Sequence, residues 1–118
     1  MKPLLLSCVA SVLLAATPAL GMPLKAYKAA RKADSIESLQ NYIDGVGNAF
    51  LWANSALQAE NKEPLFCNPD LPLNEENYLG LLDRQIRDGV PTKGSWRDDD
   101  PIELILLRAL QRTFPCKK

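Results

Sequence analysis

Hydrophobic residues recur at helical spacing most strongly near the C-terminus, between positions 102 and 114. They cover most of the circumference of the predicted helix, so we expect neighbouring elements to enclose it. Asp100 is the predicted N-cap, and Glu103 lies where it can complete a capping box. Pro115 ends the helix, because proline disfavours helical backbone at the residue before it. The stripe positions are Ile102, Ile105, Leu106, Leu107, Ala109, Leu110, Thr113 and Phe114.

A second helical pattern runs from Asp34 to about Leu57. Gly45 and Gly47 interrupt it, and each costs up to about 1 kcal/mol relative to alanine inside a helix. We expect another helix or a large side chain to approach closely at these glycines. Trp52 is expected in the core or at its edge. The stripe consists of Ile36, Leu39, Ile43, Val46, Phe50 and Ala53.

A third helix is predicted between Asn74, a favourable N-cap, and Gly89, which suits the position after a helix end. Its buried stripe is predicted to contain Tyr78, Leu81, Leu82 and Ile86. No segment of the chain requires a strand. The predicted fold class is therefore all-α: a small compact bundle of three to four helices, formed by residues 34–118.

The first 21 residues have the pattern of a signal peptide. Lys2 precedes an apolar run over residues 4–16, which is too short to span a bilayer. Ala19 and Gly21 are small residues at the positions that a signal peptidase reads, so we expect a mature chain that begins at Met22 in the periplasm. A retained anchor is the alternative. Lipidation at Cys8 is disfavoured, because most of the apolar run follows it.

Residues 22–33 are rich in lysine and arginine. They are expected to form a solvated, disordered leader or a frayed helical turn. A basic patch for a membrane surface or an acidic partner is the alternative, without stable membrane insertion after cleavage.

Removal of the leader leaves two cysteines, Cys67 and Cys116. In an oxidising compartment they are expected to form a disulfide. Closing a loop of about 50 residues stabilises a fold by about 4 kcal/mol in the chain-entropy description. Free thiols or a metal pair are weaker alternatives, because no further ligand has suitable spacing.

The chain carries 14 basic and 14 acidic residues and no histidine. The charge balance argues against a nucleic-acid partner, and the missing histidine removes the commonest general base. The run of Asp98, Asp99 and Asp100 is better explained by helix capping than by calcium, which needs spaced ligands. We therefore expect no enzyme, no cofactor and no metal ion.

The connection over residues 91–99 is distinctive, because it combines a glycine, an aromatic residue and charges of both signs. Trp96 is the binding candidate there, because tryptophan and arginine are frequent at interface hot spots. The alternative is that Trp96 folds back over the core. The candidate partner-binding loop comprises Gly94, Ser95, Trp96, Arg97 and Asp98.

Three sequence blocks, residues 42–49, 65–69 and 109–116, resemble the Rap/Tai family of immunity proteins. These are small periplasmic helical proteins linked to bacterial type VI secretion. The resemblance implies a Cys67–Cys116 disulfide and a helix-packing motif of Tyr42, Gly45 and Val46. It also implies a secreted effector as partner, such as a peptidoglycan amidase, which the protein would occlude, and a homodimer. Asn48 departs from the aspartate that relatives often carry at that position.

Two other functions fit a small exported helical protein with one disulfide. The first is a periplasmic chaperone of the HdeA type, which must expose apolar surface in acid. The balanced charge and the missing histidine argue against it. The second is a non-enzymatic envelope scaffold without a toxin partner.

Overall fold

The computed structural model describes residues 21–67, 72–90 and 93–117, and these form four helices. Helix α1 spans Leu24–Lys32, α2 Glu37–Ala59, α3 Glu75–Asp88 and α4 Ile102–Thr113. The described residues contain no strand and only two isolated bridge pairs. The predicted all-α bundle is confirmed. Helix α2 begins at Glu37 without a side-chain cap, three residues later than Asp34.

Helix α4 is the central element, as its pattern predicted. Helix α3 packs against α4 on one side and against α2 on the other. Five residues of α4 have less than one tenth of their surface exposed: Ile102, Ile105, Leu106, Ala109 and Leu110. Thr113, which the stripe included, is exposed because it lies at the helix end.

The first turns of α1 and α4 are capped by each other's leading segment. The Leu24 N–H donates to the Asp100 carbonyl at 2.8 Å, and the Ile102 N–H donates to the Met22 carbonyl at 2.9 Å. These bonds satisfy backbone donors that have no partner within their own helix. Pro23 and Pro101 occupy the N-cap positions, and neither helix has a side-chain cap.

This arrangement corrects the capping predicted at Asp100 and Glu103. The N-cap is Pro101, which has no N–H for a capping-box glutamate to accept. The Asp100 carboxylate instead accepts the backbone N–H of Arg97 at 2.7 Å. Glu103 accepts the backbone N–H of Met22 at 3.0 Å.

The expectation of a solvated, disordered leader or a frayed helical turn at residues 22–33 was wrong for residues 24–32. Residues 24–32 form α1, and its Leu24 and Tyr27 side chains are each only 1% exposed. A long-range contact orders this helix, because the Tyr27 hydroxyl donates a hydrogen bond to Asp83 of α3, 56 positions away in the sequence. The basic residues of α1 are exposed.

The segment 65–67, which we call the joint, connects α2 to the end of α4. The predicted disulfide between Cys67 and Cys116 is present, with Cα atoms 4.9 Å apart. The Cys67 N–H also donates to the Phe114 carbonyl at 2.8 Å. On the α2 side, the buried Asn54 amide accepts the Leu65 N–H at 2.7 Å and donates to the Phe66 carbonyl at 2.8 Å. The joint is thereby bonded to both helices.

The close helix contact lies at Gly47, not at the expected motif of Tyr42, Gly45 and Val46. A Cβ added at Gly47 would overlap the ring of Tyr78, which is fully buried in α3. A Cβ added at Gly45 would meet no atom within 4 Å. Tyr42 is 38% exposed, and Val46 packs at the edge of the core. Only Gly47 therefore allows the close approach of α2 and α3.

The predicted ends of α3 are confirmed. The Asn74 side chain accepts the Asn77 N–H at 2.9 Å, and the Asn77 side chain accepts the Asn74 N–H at 3.0 Å. Gly89 follows the helix with a φ of 72°, a backbone conformation that favours glycine. The residue types at its two ends are therefore sufficient to predict the boundaries of α3.

Replacing Gly47 by alanine is expected to destabilise the protein by about 1–3 kcal/mol, the range for overpacking a dense core. Gly45→Ala is the matched control on the same helix, and it should stabilise by up to about 1 kcal/mol because alanine favours helical backbone. Urea unfolding of both variants measures the difference. Equal effects would contradict the assignment of the close contact to Gly47.

Replacing Asn54 by alanine is expected to cost about 2–4 kcal/mol, because it leaves Leu65 N–H and the Phe66 carbonyl without their buried partner. Asn48→Ala is the control, since Asn48 is exposed and bonds only Asp44 of the same helix. Its expected effect is within about 0.5 kcal/mol. A comparable loss in both variants, measured by urea unfolding, would argue against a buried clamp at Asn54.

Candidate functional site

Trp96 of the predicted binding loop folds back over the core. Its indole Nε1 donates to the Gln85 carbonyl at 3.1 Å, and the ring packs against the buried cluster. Of the two alternatives left open by the sequence, the structure therefore shows the second. The other four residues of the loop are exposed: Gly94, Ser95, Arg97 and Asp98.

Contacts with α1 and with Asp99 hold this loop in place. The Asp98 carbonyl accepts the Lys25 N–H at 3.0 Å, and the Asp98 carboxylate lies 3.6 Å from the Lys28 ammonium. The Arg97 Nε lies 3.3 Å from the Asp99 Oδ1, which makes an ion pair. The loop consequently presents charged side chains to solvent, without its aromatic residue.

Trp52 is the most exposed large hydrophobic side chain among the described residues. It is 76% exposed, so the expectation that it lies in the core or at its edge was wrong. Helix geometry explains the position, because two residues rotate a side chain by about 200° from Phe50, which faces the core. Trp52 therefore projects from the opposite side of α2.

Trp52 belongs to a second stripe on α2, which we call the α2 outer face. Its residues follow one another at spacings of three, four, three and four, which place them on one side of a helix. All are exposed, and none is charged. The α2 outer face comprises Tyr42, Gly45, Ala49, Trp52 and Ala56.

The charge of α2 is low for a long surface helix. Its 23 residues include Glu37 and Asp44 but no lysine or arginine. Asp44 accepts a hydrogen bond from the Asn48 side chain at 3.2 Å. A solvent-facing helix ordinarily carries charged residues of both signs, so the α2 outer face is unusual in composition.

A cleft of about 340 Å³ lies between α1 and α3. Its cationic residues are Lys28, Arg31, Lys32 and Arg87. At its floor, the Asp83 carboxylate accepts the Tyr27 hydroxyl at 2.7 Å and pairs with Arg31 at 2.5 Å. Burial, and then the hydrogen bond to Asp83, raise the pKa of the Tyr27 phenol well above its ordinary value. Three of the four basic residues of α1, which the sequence placed in a solvated leader, thus line this cleft.

Metal-ligand clusters and membrane-spanning helices are both absent from the described residues. No group of three histidine, cysteine, aspartate or glutamate side chains there is placed to hold a metal ion. No helix in the same ranges combines the length and apolar character needed to cross a membrane. The predicted signal peptide, residues 1–21, lies outside the described residues except for Gly21.

Comparisons with protein-family models, with curated proteins and with solved structures found no match to this chain. The resemblance to the Rap/Tai family therefore stays a prediction that rests on the three sequence blocks. The structure brings residues of two blocks into contact, because Cys67 of the second bonds Cys116 of the third. The first block lies on α2 and includes Gly47, which contacts Tyr78.

The raised pKa of Tyr27 predicts a loss of stability in alkali. The folded state keeps this phenol protonated, so its contribution is complete below the unfolded pKa of about 10 and decreases as pH rises above it. Tyr27→Phe should remove this contribution, so the free energy of unfolding should fall less steeply above pH 10 in the variant. Urea unfolding across this pH range measures both slopes. Equal slopes would mean that the fold does not raise the pKa of the Tyr27 phenol.

Proposed function

We propose that this chain is a periplasmic immunity-type protein that binds and occludes a secreted effector of type VI secretion, such as a peptidoglycan amidase. The resemblance of three sequence blocks supports the effector class. The exposed α2 outer face supports a binding role. The protein would act by steric blockage rather than by chemistry.

The observation that carries the proposal is the exposure of Trp52 on an uncharged helix face. Tryptophan is the residue type most enriched at binding hot spots, where it supplies a large apolar area with few rotatable bonds. Little desolvation of charge opposes docking on this face, because the neighbours of Trp52 one helical turn away are uncharged: Asn48, Ala49, Ser55 and Ala56. A protruding apolar ridge or helix of the effector fits such a stripe, with Trp52 as the anchor and the small residues allowing close approach.

The body behind this face favours tight binding. Helix α2 is fixed by the joint through Asn54 and by the contact of Gly47 with Tyr78. A surface that is already ordered loses little conformational entropy when a partner docks. The charged loop residues Arg97 and Asp98 could contribute a polar rim, whereas Trp96 is engaged with Gln85.

Binding to the product of the adjacent reading frame, if that product is a secreted lytic enzyme, tests the proposal. Trp52→Ala is expected to weaken binding by at least about 2 kcal/mol, or roughly thirtyfold in Kd. Its stability should change by less than about 0.5 kcal/mol, because the side chain is exposed. Arg97→Ala is the matched loop control, with an expected loss below about tenfold, since rim charges contribute little.

The other outcomes are equally informative. Loss of effector binding with Arg97→Ala but not with Trp52→Ala would show that the loop, and not the α2 outer face, is the binding surface. Absence of binding by the wild-type protein, together with no inhibition of the enzyme, would overturn the immunity function. Sedimentation of the same samples tests the predicted homodimer, because dissociation by Trp52→Ala alone would make the α2 outer face a self-association surface.

A further inference from the structure

Glu103 lies at the point where the predicted leader ends. Its Oε1 accepts the backbone N–H of Met22 at 3.0 Å and also accepts the Tyr42 hydroxyl. Its other oxygen, Oε2, is buried and has no hydrogen-bond partner among the described residues. A buried acceptor without a partner destabilises the fold, and more so when the group is charged. One half of this carboxylate is therefore unsatisfied.

Gly21 is the residue that lies against the unsatisfied oxygen. A Cβ added at Gly21 would overlap the Glu103 carboxylate, and Gly21 has a φ of +71°. Gly21 is also the last residue of the predicted leader. Cleavage of the leader would thus remove the residue that is packed against Oε2.

Met22 is held in position by contacts that cleavage would leave intact. Its carbonyl accepts the Ile102 N–H at 2.9 Å, and Pro23 forms a bridge pair with Pro101. The Met22 nitrogen therefore stays beside the Glu103 carboxylate whether or not Gly21 is present.

We infer that Glu103 is the receptor for the α-ammonium group that processing creates at Met22. Hydrolysis of the Gly21–Met22 peptide bond by a signal peptidase consumes one water. The leader departs with a carboxylate on Gly21, and the Met22 nitrogen gains protons to become an ammonium. The amide donates one N–H to Oε1, whereas the ammonium has three donors and a positive charge for both oxygens. This inference rests on the export step of the proposed function.

The consequence is a fold that is completed by its own processing. The new ion pair would lie in the first turn of α4, next to the capping bonds that join Met22 to Ile102 and Leu24 to Asp100. The precursor lacks the ion pair and carries the unsatisfied oxygen. The processed chain should therefore be more stable than the precursor in the compartment where the disulfide also forms.

The test uses the exported, oxidised protein, whose first residue is read by intact mass. An α-ammonium ordinarily has a pKa of about 8, and a neighbouring carboxylate raises it. The stabilisation is complete below about pH 8 and decreases as pH rises towards the raised pKa. Glu103→Gln lacks this stabilisation, so its unfolding constant should exceed that of wild type most strongly below pH 8. The ratio of the variant's unfolding constant to that of wild type should then decrease by up to about tenfold per pH unit between about pH 8 and 9.5. The upper end of this window lies below the ordinary tyrosine pKa of about 10.

Glu37→Gln is the matched control, because Glu37 is also a glutamate in the first helical turn but is exposed at α2. Its ratio to wild type should not change over this range. Carbamoylation of the Met22 amine in the wild-type protein should remove the pH dependence without a substitution, which keeps the test valid if Glu103→Gln does not fold.

A first residue other than Met22, or a ratio independent of pH in protein that does start at Met22, would overturn the inference. The second result would leave the proposed function intact. Effector binding is measured separately through Trp52→Ala, so failure of the immunity function is distinguished from failure at Glu103.

Discussion

The joint at residues 65–67 is the constraint on which the remainder of the structure depends. On one side, the buried Asn54 amide bonds the backbone of Leu65 and Phe66. On the other, Cys67 is joined to Cys116 by the disulfide and to the Phe114 carbonyl by its N–H. Phe66 itself is 1% exposed, so the joint also contributes to the core. A short irregular segment thereby ties the long helix α2 to the end of the central helix α4.

Helix α4 is held at both ends and enclosed in between. The segment around Met22 and Leu24 shares backbone bonds with its start, and the joint fixes its end. Its middle packs against α3, which Gly47 allows to approach α2 closely. The α2 outer face is thus the exposed side of a helix whose other side is fully committed to the core. This is the physical basis for proposing rigid docking through Trp52.

Local patterns predicted much of this fold. The stripe of α4 and the caps of α3 depend on neighbouring residues, and the disulfide follows from the cysteine count. Contacts between residues far apart in the sequence could not be predicted from local patterns. Helix α1 looked like a solvated segment because its buried Tyr27 has its partner in Asp83 of α3. The choice of Gly47 over Gly45 likewise depends on the position of Tyr78.

Two features of the candidate site did leave a signal in the sequence. Trp52 lies off the hydrophobic stripe of α2, which indicates an outward position. Asn54 lies on the stripe, four residues after Phe50, and a polar residue in a buried stripe indicates a specific hydrogen-bonding role. Trp96 carried no such signal, because its loop has no helical period and its bond to the Gln85 carbonyl depends on the fold.

Native-state hydrogen exchange at the joint tests the central claim most directly. The Leu65 and Cys67 amides donate to Asn54 and to the Phe114 carbonyl, although both lie outside the helices. If the joint holds α2 and α4 together, both amides should exchange only with the free energy of global unfolding, like amides in the middle of α4. Exchange at the rate of an open loop, while α4 stays protected, would contradict the account.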